Sequence, residues 1–435
     1  MLRWLFLLIC ICCSALSYSQ TEIYQTKEGD IRTYGDQMQY ALPIGALIGS
    51  LAIGDYEGAI QLTKVMVSNT VVITGLKYSI DRTRPDHSVN NSFPSGHTSA
   101  AFAGAGYVSH RYGPKWSLPM YTLASLVGIS RVWANRHYLD DVMAGASIGV
   151  FNSIIYTTPY QESNRWSILP MFDSNSFGVY LNYAMDGVRS YSEQSNDDFD
   201  FQYELIIGAT ETQYNKFTAP SGSSNGSIDL ADFDNEQQPA NYAVAKLSIF
   251  VSPTNAIEMQ FVPFETRDET KLTADFDFNG ETYLDKSTLV SAYRAYTLFA
   301  HWHYNFFHKS SWILQPGFGL IWQIQSIRFD DEDGGQLSKA SGMYVWPELF
   351  LRLGYKFTDS FAFTITGAGH KAGELENMRT LYQLKYDITK RWMASLLYGQ
   401  SKSVGKMMIG DAPKEEYTTK SSFKYAGFSV GYSFN

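Results

Sequence analysis

The sequence predicts two domains of opposite kind: an all-α bundle over residues 20–160 and an antiparallel transmembrane β-barrel over residues 165–435. Three observations predict this. Up to about residue 160, apolar stretches rich in Ala, Gly and Ser are separated by breaks carrying Gly, Pro, Asp and Asn, the texture of closely packed helices. From about Trp166, apolar and polar residues alternate with the period of two that a strand imposes. The connections between these alternating stretches are short at one rim and long and polar at the other, as in outer-membrane barrels. A chain of 435 residues is also too long for one ordinary core.

The N-terminus opens with Met1-Leu2-Arg3, continues apolar from Trp4 to Leu16 and closes on Ser17-Tyr18-Ser19-Gln20. A positive start, a short apolar middle and a small-residue end predict a signal peptide over residues 1–19, since the apolar run is short for a membrane span. Cys10, Cys12 and Cys13 all lie in that segment, so the exported chain is expected to have no disulfide, no thiolate metal site and no cysteine nucleophile.

Helices are expected around Tyr40–Ile53, Val65–Leu76, Thr98–Tyr107, Leu118–Val132 and Val142–Ile155. Gln37–Gly54 carries no charge but contains Pro43 and several glycines, and its neighbours are shorter, which favours a compact bundle near a membrane over a polytopic one.

In the second half, Leu298, Ala300, Trp302, Tyr304 and Phe306 face one way, and His301, His303 and Asn305 the other. The same period runs through Leu349–Phe357, Trp392–Tyr398 and Phe428–Phe434. Tight turns are expected near Pro253-Thr254, His308-Lys309-Ser310, Thr358-Asp359 and Asp387-Ile388-Thr389, and long loops over 212–240, 265–287, 328–342 and 402–420. The pattern counts about 12 strands; 10 is the alternative, because the stretches near 166–172 and 176–186 break the long–short rhythm. A soluble β-sandwich is the competing fold. Phe434 near the end resembles the C-terminal assembly signal of outer-membrane proteins, with Asn435 as a departure, so the barrel-assembly machinery and membrane lipids are expected partners. Aromatic residues make up 15% and charged residues 18%, which suits such strands, and a net charge of −9 without a Lys/Arg block excludes nucleic acid as a partner. Nothing after residue 166 reads as catalytic, and His301 and His303 are expected to be lumen or rim residues rather than metal ligands.

Three short clusters carry the chemistry: Lys77 with Arg84-Pro85, then Pro94-Ser95-Gly96-His97, then Ser130-Arg131 with His137 and Asp141. A phosphoryl group in transfer spreads negative charge over three oxygens, and preorganised donors there supply most of the catalysis. Arg84 and Arg131 offer planar forks, Lys77 a point charge and Ser95 a hydroxyl. Gly96 leaves its amide open, and the helix expected to follow would place its N-terminus at the anion. His137 and Asp141 are four apart, so a carboxylate can hold one ring nitrogen while the other attacks phosphorus. His137 is therefore the expected nucleophile, Asp141 its orienter, and His97 the general acid. Asp140 is expected as a cap or surface residue. Arg82, Asp86, His87 and Arg136 are expected as solvated or supporting residues, and Asn90, Asn91 and Phe93 as shapers of the entrance. No tight His/Asp ligand cluster is evident, and no metal is expected to be required.

These clusters, over about Val65–Val150, resemble the signature of the type 2 phosphatidic acid phosphatase superfamily, which also includes bacterial acid phosphatases and vanadium haloperoxidases. The resemblance implies an all-α fold, the same roles for His137, His97 and Asp141, and phosphate binding by Lys77, Arg84, Ser95, Gly96 and Arg131. It implies no cofactor, with vanadate able to bind as a phosphate mimic. The expected function is a metal-independent phosphatase acting through a phosphohistidine on a lipid-linked phosphate: a phosphatidate-like lipid, lipid A or a prenyl diphosphate. The alternatives are a broad periplasmic acid phosphatase, vanadium-dependent halide oxidation, and an outer-membrane pore with an accessory helical domain. An even strand count puts both barrel ends at the inner rim, so the helical domain is expected in the periplasm, against the inner leaflet.

Overall fold

The computed structural model describes residues 28–160, 166–173, 176–183 and 200–434, apart from position 87 and short segments at 222–226, 231–239, 273–274, 279–280, 308, 332–336 and 410–414. The predicted signal peptide lies outside the described residues.

Five helices form the first domain among the described residues: α1 (Glu28–Ala52), α2 (Tyr56–Ser79), α3 (Gly96–Tyr112), α4 (Ser117–Trp133) and α5 (Leu139–Tyr156). Each expected apolar stretch lies within one of them, bar a residue or so at one end. Helix α1 begins well before its uncharged segment and takes Pro43 into its interior. The small residues let the helices approach closely. A side chain at Gly145 would collide with the Ser95 carbonyl, one at Gly149 with the Ser99 carbonyl, and one at Gly104 with the backbone of Pro43. The core is correspondingly fine-grained: Leu42, Ala101, Ala105, Ala124 and Val127 form one cluster, and Ala46, Leu62, Tyr107 and Val108 another. At one end of the bundle Asp55 caps α2 by accepting from the Gly58 amide at 2.9 Å, and Arg111 grips the same carboxylate at 2.6 and 2.8 Å. The predicted active residues gather at the opposite end.

The second domain has fifteen strands among the described residues. They are β1 (Trp166–Asp173), β2 (Ser176–Tyr183), β3 (Asp200–Thr218), β4 (Ile228–Asp229), β5 (Ala240–Ser252), β6 (Asn255–Lys271), β7 (Phe276–Phe278), β8 (Glu281–Tyr283), β9 (Thr288–Tyr304), β10 (Trp312–Asp331), β11 (Leu337–Thr358), β12 (Phe361–Ala372), β13 (Leu375–Asp387), β14 (Trp392–Ile409) and β15 (Glu415–Phe434). Ten of these close antiparallel into a barrel, in the order β3-β5-β6-β9-β10-β11-β12-β13-β14-β15, with β15 returning to pair along β3. The twelve strands counted from the sequence are these ten plus β1 and β2, which pair only with each other. Ten is the number that closes.

The expected tight turns fall at one rim, between β5 and β6, β9 and β10, β11 and β12, and β13 and β14. The expected long loops are shorter than predicted, because the hairpins run on past the apolar band. There apolar side chains such as Ile327, Phe329 and Met407 point inward, so the apolar-outward alternation that marks a membrane strand in sequence no longer holds.

Side chains crowd the lumen around a cavity of about 140 Å³ lined by Glu258, His301, Phe350 and Arg352 among others. Glu204, Lys246, Glu258 and Arg352 form a cross-barrel network, with Lys246 Nζ 3.2 Å from Glu204 and 3.4 Å from Glu258, and Arg352 3.1 Å from Glu258. Toward the long-loop rim an apolar plug made by Phe278, Tyr283, Leu289, Tyr293, Ile327, Phe329 and Met407 closes the interior. The β7–β8 hairpin contributes two of its aromatic rings, and Phe278 sits edge-on to Phe329 at 4.9 Å.

The helical domain stands beside the barrel. Ile73, Phe93, Ala144, Ile148 and Phe151 pack on Leu205, Ile207, Ala243 and Tyr432, which point outward from the barrel wall. Phe151 lies edge-on to Trp392 at 5.4 Å and to Tyr203 at 5.8 Å, and Ser147 Oγ bonds the Tyr203 hydroxyl at 2.6 Å. Higher on the wall, Arg267 of β6 donates to the Pro85 carbonyl at 2.7 Å and to Asn135 Oδ1 at 3.4 Å. The helical domain thus docks on an outward apolar face of the barrel wall, an arrangement the sequence did not reveal.

Candidate active site

Sequence positions far apart converge where four helix ends meet. Lys77 is in the last turn of α2, Arg84 in the loop that follows, Ser95 caps α3, and Gly96 and His97 open it. Arg131 is in the last turn of α4, His137 in the loop after it, and Asp141 in the first turn of α5. His97 and His137 lie within electrostatic reach of each other, as do His137, Lys77 and Arg84.

His137 is buried. Its Nδ1 faces the Ser92 carbonyl at 2.7 Å, and because a carbonyl only accepts, Nδ1 carries the proton. The Nε2 lone pair is then free for attack. Asp141, the expected orienter, is the more distant neighbour of Nδ1 at 3.7 Å. The reason is local. His137 precedes α5 rather than sharing a helical face with Asp141, and the carboxylate turns back to cap that helix, accepting from the Tyr138 amide at 2.9 Å and from Ser92 Oγ. Ser92 thus contacts His137 by its carbonyl and Asp141 by its hydroxyl. Burial holds the His137 imidazole below its ordinary value of 6.5, with Asp141 pulling the other way, so the ring is neutral and nucleophilic at neutral pH.

Four basic groups frame the space. Arg131 is buried to 2% exposure and donates to Asp36 Oδ1 at 2.7 Å and to the Arg32 carbonyl at 2.6 Å. Gly35 permits this approach, because a side chain there would fall on the Arg131 guanidinium. Lys77 donates from Nζ to the Asn91 carbonyl. Arg84 keeps a buried Nε with no hydrogen-bond partner among the described residues. An orphaned guanidinium donor is costly unless an anion arrives to take it. The fourth group, Arg82, is spent on structure: it binds Asp140 at 2.7 Å and Asp141 at 2.8 Å and stacks 4.1 Å over the Tyr138 ring.

Ser95 is committed to the start of α3, bonding Thr98 Oγ1 at 2.9 Å, while its amide donates to the Asp141 carbonyl at 2.9 Å. A Cβ on Gly96 would meet only ordinary contacts at 3.7 and 4.0 Å, so this glycine keeps the helix N-terminus open rather than relieving a clash.

Two residues that matter here were misplaced or missed by sequence reasoning. Asp140, expected as a cap or surface residue, is buried at 3% exposure against Arg82. Arg82 takes the supporting role, one of the two expected for it, and holds two carboxylates. Asp36 went unremarked, although it is the last charge before the uncharged segment of α1. It bonds His97 Nε2 at 3.0 Å as well as Arg131, and so places a carboxylate where a substrate oxyanion would sit. Arg136 pairs with Asp86 at 2.7 Å on the surface, as expected. Position 87 lies outside the described residues.

One other cluster gathers metal-type ligands among the described residues: Glu258, His301 and His303 in the lumen, with ligand atoms within 4.8 Å of one another. Glu258 is already held by Arg352 and Lys246, and those two cations oppose a third.

The PAP2 superfamily model matches residues 58–165. A protein named lipid A 1-phosphatase from Porphyromonas gingivalis is 35% identical over 139 residues, covering 30% of this chain and 31% of that protein. One named lipid A 4'-phosphatase from Helicobacter pylori is 34% identical over 165 residues, covering 34% of this chain and 82% of that protein. This chain thus spans about a third of the first relative's length and about four fifths of the second's. Among solved structures, that of LpxE from Aquifex aeolicus is 26% identical, covers 31% of this chain and 87% of that chain, and gives a TM-score of 0.28.

Proposed function

We propose, from the premise that this chain belongs to the PAP2 superfamily, that it is a phosphatase removing phosphate from a lipid of the cell envelope through a phosphohistidine on His137. The observation that carries the reading is the pocket: a neutral, oriented imidazole faces a set of cationic donors that includes the unpartnered Nε of Arg84. In the first step His137 Nε2 attacks phosphorus in line, and the P–O bond to the lipid breaks. His97 protonates the departing oxygen. In the second step His97 takes a proton from water, whose oxygen attacks phosphorus and breaks the P–N bond, which releases inorganic phosphate. Lys77, Arg84, Arg131 and the amides at the start of α3 hold the equatorial oxygens throughout.

Lipid A is the favoured substrate within the lipid-linked class, because the two relatives above carry that activity in their names. The barrel, with its outward apolar band, supports residence in the outer membrane and insertion by the barrel-assembly machinery. The pore reading loses support from the apolar plug and the cross-barrel network.

The test is phosphate release from lipid A, a phosphatidate, a prenyl diphosphate and p-nitrophenyl phosphate, comparing the wild type with His137→Ala. Release from lipid A is expected to exceed release from the soluble ester and to fall by about 10³-fold or more in the variant. Unchanged release by His137→Ala would overturn the mechanism, and equal rates on every ester would overturn the lipid assignment.

A further inference from the structure

We propose that the pocket opens into the leaflet at the long-loop rim of the barrel, so that the phosphorylated headgroups it takes are those facing the cell exterior. This rests on the phosphatase reading and names the source of its substrate. It reverses the placement against the inner leaflet that chain order alone suggests.

The height of the pocket on the barrel wall carries the inference. Arg267, which holds the two pocket loops through Pro85 and Asn135, is twelve residues along β6 from Asn255 and four from its far end. Asn255 belongs to a short turn. At about 3.3 Å per residue and a tilt of roughly 40°, Arg267 lies ~30 Å above that rim, the thickness of a hydrocarbon layer. The other end of the bundle is low: Phe151, near the end of α5, touches Trp392, the first residue of β14 after a short turn.

A second observation agrees. The outward side chains of β6 are Ile257, Met259, Phe261 and Pro263, then Glu265, Arg267 and Glu269. The wall turns from apolar to charged at the level of the pocket. Glu265 is buried there against Arg294 at 2.9 Å and Arg267 at 3.2 Å. This polar shelf marks the membrane–water boundary on the long-loop side.

A third concerns the helices themselves. Ile44, Ile48 and Leu51 on α1, Ile60, Val67 and Val71 on α2, and Leu118 and Leu126 on α4 are exposed. Such apolar faces on helices standing beside a membrane barrel fit acyl chains. Short turns face the periplasm and long loops the exterior in barrels of this kind, which fixes the leaflet.

Cysteine occurs only at positions 10, 12 and 13, so substituted cysteines report the side directly, with the unsubstituted chain as background. The full-length chain is made with Val89→Cys at the pocket end, Lys115→Cys at the opposite end, Lys286→Cys in a long loop or Asp359→Cys in a short turn. All four positions are exposed. Intact cells are treated with a membrane-impermeant maleimide. Val89→Cys and Lys286→Cys are expected to react at once, and Lys115→Cys and Asp359→Cys only after the outer membrane is opened. Reaction of Val89→Cys only after opening, or a reversed order of Lys286→Cys and Asp359→Cys, overturns the proposal. The readout does not use phosphatase activity, so failure here and failure of His137→Ala to abolish activity are separate results.

Discussion

Arg82 and Arg84 are two residues apart, carry the same charge and have opposite duties. Arg82 neutralises Asp140 and Asp141 in a buried setting, and Arg84 keeps a buried donor unused. Arg82→Ala is expected to cost about 3–5 kcal/mol of stability by stranding two buried carboxylates, read as a lowered midpoint of thermal or urea unfolding. Arg84→Ala is expected to leave that midpoint nearly unchanged and to lower kcat/KM by roughly 10²-fold, since its donor has a partner only when phosphate is bound. Asp36 yields a prediction of the other sign. Its carboxylate competes with phosphate for Arg131 and His97, so Asp36→Asn should tighten inhibition by inorganic phosphate about fivefold, or ~1 kcal/mol. At this scale the sequence was most legible for residues whose chemistry is uncommon, such as Lys77, Arg84, His97, Arg131 and His137. It was least legible for Ser92, whose contribution is partly a backbone carbonyl, and for Asp36, whose helix precedes the signature region. Asp141 was found, but not the Ser92 carbonyl that lies nearer to His137 Nδ1, because i,i+4 spacing says nothing about where a helix begins.

At the scale of elements, the helices pack by leaving things out. Gly145 and Gly149 let α5 lie against the backbone of α3, which presents Ser95 and His97 to the pocket. Gly149→Leu is expected to push these helices apart and destabilise the bundle by about 1–3 kcal/mol or more, while the barrel keeps its heat-modifiable mobility on a gel. Activity should fall with the bundle, because α3, α5 and the loop before α5 together position His97 and His137. Helix positions were readable from the small and apolar runs, and strand positions from alternation within the membrane band. Strand ends were not. Beyond the band, β10, β14 and β15 turn apolar side chains such as Ile327, Phe329, Met407 and Tyr417 inward, so the apolar-outward pattern of the membrane strands no longer marks them.

At the scale of the molecule, two folds share one wall. Arg267 pins the pocket loops to the barrel, and Arg267→Ala is expected to loosen that dock by roughly 1.5–3 kcal/mol, the worth of hydrogen bonds from a charged group. Faster maleimide labelling of Val89→Cys in this background, with barrel mobility unchanged, would register it; an unchanged labelling rate would count against the docking role. The division into helical and barrel halves was plain from texture, and the strand total differed only by a hairpin that pairs with itself. The side-by-side arrangement was not readable, because outward residues that meet helices look like those that meet lipid: Leu205, Ile207 and Ala243 would suit either.

Among the described residues, only α2 is long and apolar enough to qualify as a membrane-crossing segment. The glycines, serines and scattered charges that permit close packing also keep the other helices below that threshold. For a polypeptide bound for a distant bilayer this is an advantage in transit: strongly greasy helices would be arrested in the first membrane met during secretion. If the chain is exported to the outer membrane as proposed, each described helix except α2 is weak enough, taken singly, to be carried past the inner membrane as an unfolded thread, and the bundle meets lipid only once the barrel has folded beside it.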